Sequence, residues 1–151
     1  MWLTAILPNT SKAITLNPNH ANVAAKAAAV MSYTGRSEDA VALVKRAMRL
    51  DPHHPDWYWQ ELALALYVGG HHTEAIRALN HKTNHEAWDY AYLAVCCVAM
   101  GEIEQAKCHV ENLLQMKPGA SVRYHEKSEC YKNDADLERF LNALRTAGLP
   151  E

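Results

Sequence analysis

The chain has 151 residues, 49% of them hydrophobic and 21% charged, with a formal net charge of −2 at pH 7. That suits one domain with a buried core, and no run of Lys or Arg exceeds two residues, so neither nucleic acid nor an anionic membrane is an expected partner. No segment reaches the roughly 18 apolar residues of a spanning helix, and Cys96, Cys97, Cys108 and Cys130 lack C-x-x-C spacing, which points to reduced thiols in a cytoplasmic protein.

In chain order, Met1–Pro8 is apolar but short, and residues 10–17 read as the end of a helix closed by Leu16-Asn-Pro18. An apolar helical run then leads to Gly35, Ala40, Val41, Val44 and Ala47, and closes at Leu50-Asp-Pro52. A second run, from about Pro55 to Val68, leads to Gly70, Ala75, Ile76 and Leu79. A third leads to Gly101, Ala106, Val110, Leu113 and Leu114, and closes at Met116-Lys-Pro118. Glycine permits the tight turn inside each unit, proline stops the second helix of a unit, and Ser37 and Thr73 are placed to cap second helices. Beyond them, Ser121–Lys127 can form a short helix. Asn133 to about Ala147 forms another, with Leu137, Phe140, Leu141 and Leu144 on one face and Gly148 as the stop.

The pattern occurs three times in register and resembles the tetratricopeptide repeat (TPR), a helix–turn–helix of 34 residues. The first copy, 21–54, carries Ala28, Gly35, Ala40, Val44, Ala47 and Pro52, but has Ala24 where the family has an aromatic. The second, 55–86, carries Trp59, Leu62, Ala63, Leu66, Gly70, Ala75 and Leu79, with Asn84 near the place of the closing proline. The third, 87–120, carries Tyr90, Leu93, Ala94, Cys97, Gly101, Ala106, Val110 and Pro118. The resemblance implies an all-α, right-handed solenoid, a single domain over 1–151. Residues 1–20 would be a partial repeat or N-terminal cap, and 121–151 capping helices over the last repeat. One such unit cannot bury its own apolar face, so neighbours must stack. Trp59 takes a packing position in this register and is expected in the core.

A narrower resemblance lies in Tyr131–Glu151 together with Arg46–Tyr58. These are similar to the C-terminal TPR region of bacterial class III adenylate cyclases and related multidomain regulators. Repeats and caps consume the chain, so the resemblance implies a sensory or scaffolding module without cyclase activity.

In the repeat family the first helices line a concave groove. Carried over, those positions are Asn22 and Tyr33, then Trp57, Gln60, Leu64 and Tyr67, then Trp88, Ala91 and Val95. The resemblance implies a protein or peptide partner held on an apolar, aromatic face, with Trp57, Tyr67 and Trp88 as anchors. The family positions that grip a C-terminal carboxylate read Ala25, Ala29, Glu61, Trp88 and Tyr92, so that mode is not expected. The groove could instead hold the chain's own end or a second copy in a homodimer, since an apolar face this large rarely stays bare.

Little in the sequence points to chemistry. His20, His53, His54, His81 and His85 fall at the turns between repeats, along one edge, where solvated side chains are expected and a metal site is a remote alternative. Ser121, His125 and Glu126 lack the strand–turn–helix elbow of a nucleophile, and neither G-x-x-x-x-G-K nor H-E-x-x-H occurs. No enzyme activity and no cofactor are expected.

Overall fold

A computed structural model describes residues 12, 14–17 and 19–151. The expected cap over 1–8, together with Ala13 and Pro18, lies outside the described residues. Eight helices follow His20: α1 (Ala21–Tyr33), α2 (Ser37–Leu50), α3 (Trp57–Val68), α4 (His72–Asn80), α5 (Ala87–Ala99), α6 (Ile103–Met116), α7 (Val122–Ser128) and α8 (Asp134–Thr146). No strand occurs among the described residues.

The helices pack in pairs, α1 on α2, α3 on α4 and α5 on α6. Contacts of α1 with α3 and of α3 with α5 join the first helices into one layer, and α2 on α3 and α4 on α5 link successive pairs. The small residues explain how closely the pairs approach. Ala24, Ala25, Ala27 and Ala28 of α1 and Ala40 and Ala47 of α2 are all buried. Tyr92, Leu93, Leu79 and Val44, each 2% exposed or less, are large side chains of the core that also holds Ala28 and Ala40.

Each turn inside a pair is closed by the same two bonds. Gly35 has φ +84° and Gly101 φ +80°, the left-handed region in which an L side chain is costly. This lets the Arg36 N–H reach the Met31 carbonyl at 2.9 Å and the Glu102 N–H reach Cys97 at 2.8 Å, the six-to-one bond of a Schellman motif. His71 to Leu66 repeats it. That geometry corrects the expected caps. Arg36 and His71 are the N-cap residues of α2 and α4, neither helix has a side-chain cap bond, and Ser37 and Thr73 lie inside the first turn. At the C-terminal end capping is by side chain. Ser121 Oγ accepts from the Tyr124 N–H at 3.1 Å and Asn133 Oδ1 from the Ala135 N–H at 2.9 Å.

Pro55 stands two residues before α3, which begins at Trp57. Tyr58, not Trp59, is the fully buried aromatic at this junction. Its hydroxyl donates to Asn22 Oδ1 at 2.6 Å, satisfying the polar tip that burial would otherwise strand. Trp59 is half-buried, stacked on His81 with ring centroids 4.4 Å apart.

The C-terminal helices do not simply close the far end of the stack. α8 packs on α7 and on α5, a first helix, burying Phe140, Leu141 and Leu144. The chain end is tied back as well, the Val122 N–H donating to the Pro150 carbonyl at 2.7 Å. No helix among the described residues is long and apolar enough to cross a membrane.

Candidate functional site

The layer of first helices is partly covered by the chain itself. Between α7 and α8 the backbone crosses to the end of α1, where the Lys132 N–H donates to the Tyr33 carbonyl at 2.9 Å. Glu129 turns inward, its side chain 4% exposed. One of its carboxylate oxygens accepts from the Tyr33 hydroxyl at 3.0 Å and the Tyr92 hydroxyl at 2.9 Å. The Tyr131 hydroxyl meets that of Tyr92 at 2.9 Å, and the Tyr131 ring stands edge-on to Tyr33 at 5.1 Å. Burial, the largest cause, pushes the Tyr33, Tyr92 and Tyr131 phenols up well above the usual range, so each stays protonated and able to donate. Phe140 of α8 then contacts Tyr92 at 4.9 Å and Tyr67 at 6.1 Å between centroids.

This arm changes what the expected groove residues do. Leu64, Tyr67, Ala91 and Val95 are buried, Leu64 to 2% exposure, not an open lining. Tyr67 and Val95 border a space of about 340 Å³ whose other wall is Arg139, Asn142, Ala143 and Thr146 of α8. Asn22 and Trp57 lie to the other side. Asn22 is exposed and holds Tyr58. Trp57 is half-buried against Tyr58, with the Lys26 ammonium 5.4 Å from its ring centroid.

Between these regions one part of the face stays open. A cleft of about 320 Å³ is lined by Ala29 and Tyr33 of α1, Gln60, Glu61 and Leu64 of α3, and Glu86 and Trp88 at the start of α5. The structure thus brings Tyr33, Gln60, Leu64 and Trp88 together at one opening. Trp88 is held by stacking on Tyr92, centroids 3.9 Å apart. Gln60 Nε2 donates to Glu86 at 3.0 Å and to Asp89 at 3.0 Å. Asp89 is wholly buried and also accepts from Lys82 Nζ at 2.6 Å and the Glu86 N–H at 2.6 Å. Burial pushes the Glu61 carboxyl up to about 7, against the opposing pull of Lys26. Beyond Trp88 a smaller cleft of about 160 Å³ continues toward Lys117, Tyr124, His125 and Glu129.

Sequence reasoning weighed Glu61 only as a mismatch to a carboxylate-gripping site, and overlooked Glu86 and Glu129. Glu61 follows Gln60 on α3 and Glu86 precedes Trp88 by two residues, spacings that do not set them apart from solvated helix charges.

The other candidate chemistry is spent on structure. Among the described residues no three His, Cys, Asp or Glu side chains are grouped to hold a metal. Along the expected histidine edge, His20, His53 and His81 are exposed. His54 stacks on Tyr58 at 5.0 Å, and His85 Nδ1 lies 3.9 Å from Asp89. Ser121 is a helix cap. Cys96 and Cys97 are buried, and burial pushes the Cys96 thiol up to about 12, too high for a nucleophile at neutral pH.

The chain matches no protein-family model and no curated protein. Among solved structures it is similar to the crystal structure of MamA, with a TM-score of 0.65 and 20% identity, covering 96% of this chain and 86% of that one. It is also similar to YrrB, described as a TPR protein with an unusual peptide-binding site, with a TM-score of 0.60 and 17% identity over 96% of this chain and 76% of that one. At these identities the likeness carries the fold, and the fold is a TPR-type helical solenoid.

Proposed function

We propose that the chain is a non-catalytic protein–protein interaction module that holds a peptide or partner segment on its concave face. The observation that carries this is the cleft of about 320 Å³ between α1, α3 and the start of α5, which the chain's own arm leaves open. Trp88 and Tyr33 are the anchors, with Gln60 between them over the buried Leu64, and Asn22 and Trp57 extending the face toward the N-terminal side. Rigid aromatics supported from below suit a hot spot. The peptide-binding site named for YrrB supports the reading. Tyr67, Ala91 and Val95 would join the surface only if the arm moved aside.

A second reading, self-association as a homodimer, is favoured by the apolar N-terminal edge, where Leu16 is 74% exposed and Leu50 43%. Light scattering over a range of concentrations separates the two. A constant monomer mass supports the open groove. A dimer that dissociates on Trp57→Ala or Trp88→Ala supports self-association.

The tail's similarity to the repeat region of class III adenylate cyclases supports reading the chain as a regulatory module of that type. That reading is removed if the purified chain leaves the cyclic AMP output of such a catalytic domain unchanged.

A further inference from the structure

The chemistry of the open cleft selects its occupant. Two carboxylates, Glu61 and Glu86, line it, and no Lys or Arg does. Of the nearby cations, Lys82 is buried against Asp89 at 2.6 Å. The exposed Lys26, 5.4 Å from the Trp57 ring centroid, acts on Glu61 from outside the lining. The polar side chains have also used their donors. The Gln60 amide donates to Glu86 and Asp89, leaving its carbonyl as an acceptor, and the Tyr33 hydroxyl donates to Glu129. Apart from the Trp88 indole, the lining side chains present acceptors and negative charge beside two aromatic rings. A group that answers all of these at once is planar, cationic and rich in donors.

Resting on the reading of the face as a peptide site, we propose that this cleft seats the arginine side chain of an extended peptide, its guanidinium between Glu61 and Glu86 and its stem along Trp88 and Tyr33. The guanidinium carries five donors in a fixed fork and stacks on aromatic faces, which a lysine ammonium does less well. The site is the reverse of a carboxylate clamp, in keeping with Glu61 standing where such a clamp needs an asparagine.

Glu61 also gives the site a pH dependence. Its carboxyl is raised to about 7 by burial, so a cation is held best above that pH and is released as pH falls through it. The charged groups around it are Lys26 from α1, Glu86 and Asp89 from α5, and Lys82 from the turn before α5, the last two closed on each other.

The test uses the full chain and two blocked pentapeptides, Ala-Leu-Arg-Leu-Ala and the same peptide with neutral, near-isosteric citrulline for arginine. Binding is read from the Trp88 indole resonance. The arginine peptide is expected to bind about tenfold more tightly than the citrulline peptide at pH 8, the worth of one charge-assisted hydrogen bond. Glu61→Gln should remove that preference without lowering the melting temperature, and wild type should lose most of it at pH 6. Equal affinity for the two peptides overturns the arginine assignment and leaves the peptide groove standing. If neither peptide moves the Trp88 resonance, both readings fall.

Discussion

Phe140→Ala is expected to destabilise the whole chain by about 3–5 kcal/mol, as for a buried phenylalanine truncated in a packed core. Phe140 has no exposure and meets rings from four other segments: Tyr67 of α3, Tyr92 of α5, His125 of α7 and Tyr131 of the crossing strap. The contacts unite the arm and the solenoid in one core, so the loss should appear as a single cooperative transition lowered by on the order of 10 °C. Calorimetry or urea unfolding reads it. A drop below about 1 kcal/mol, within the range of surface substitutions, would mean that the arm is a loosely attached cover. A separate low-temperature step would mean that it unfolds on its own.

The second large effect is expected at the ion pair beneath the cleft. Lys82 and Asp89 have side chains 2% and 0% exposed, 2.6 Å apart. Lys82→Met leaves the Asp89 carboxylate buried with the Gln60 amide, the Glu86 N–H and, at 3.9 Å, His85 Nδ1 around it, a loss of about 3–5 kcal/mol. The double variant Lys82→Met with Asp89→Asn removes both charges and should recover most of that loss, because an uncompensated buried charge is costlier than an absent pair. Denaturant unfolding of wild type, Lys82→Met, Asp89→Asn and the double variant closes the cycle. A double variant no more stable than Lys82→Met would show that Asp89 acts through its hydrogen bonds alone. The same side chains hold Gln60 and Glu86 in place, so the pair also shapes the site.

The repeat frame was legible because its signals are local. Gly35 and Gly101 occupy turns that need a left-handed residue, and Ala40, Ala75 and Ala106 are buried where helices meet. The apolar stripe of α8 likewise forecast a buried face, with Phe140, Leu141 and Leu144 inside. It did not forecast which surface would bury them. An amphipathic stripe records that one side of a helix is covered and carries no address, and the Tyr33–Glu129 bond joins residues 96 apart in sequence. The resemblance to the repeat family therefore implied an open groove through Tyr67, Ala91 and Val95, where these side chains are buried. Trp59 and Tyr58 were exchanged for a related reason. Adjacent aromatics at the start of a helix leave the register open by one residue, and the hydroxyl's partner, Asn22, lies on another helix.

Glu61 and Glu86 are ordinary in sequence, and no spacing distinguishes them from solvated helix charges. Only the packing of α1, α3 and α5 places them beside Trp88 in a space lacking a lysine or arginine side chain.

The most direct measurement is the affinity of the full chain for peptides selected on it from a random library. It is compared between wild type, Trp88→Ala, and Glu74→Ala on the opposite side, where Glu74 borders a separate cleft. Binding confined to the concave face should weaken by about tenfold or more on Trp88→Ala, a loss typical of an anchor residue, and stay unchanged on Glu74→Ala, with both variants folded by circular dichroism. Selected peptides that bind Trp88→Ala as tightly as wild type would contradict the assignment of the groove as the partner surface.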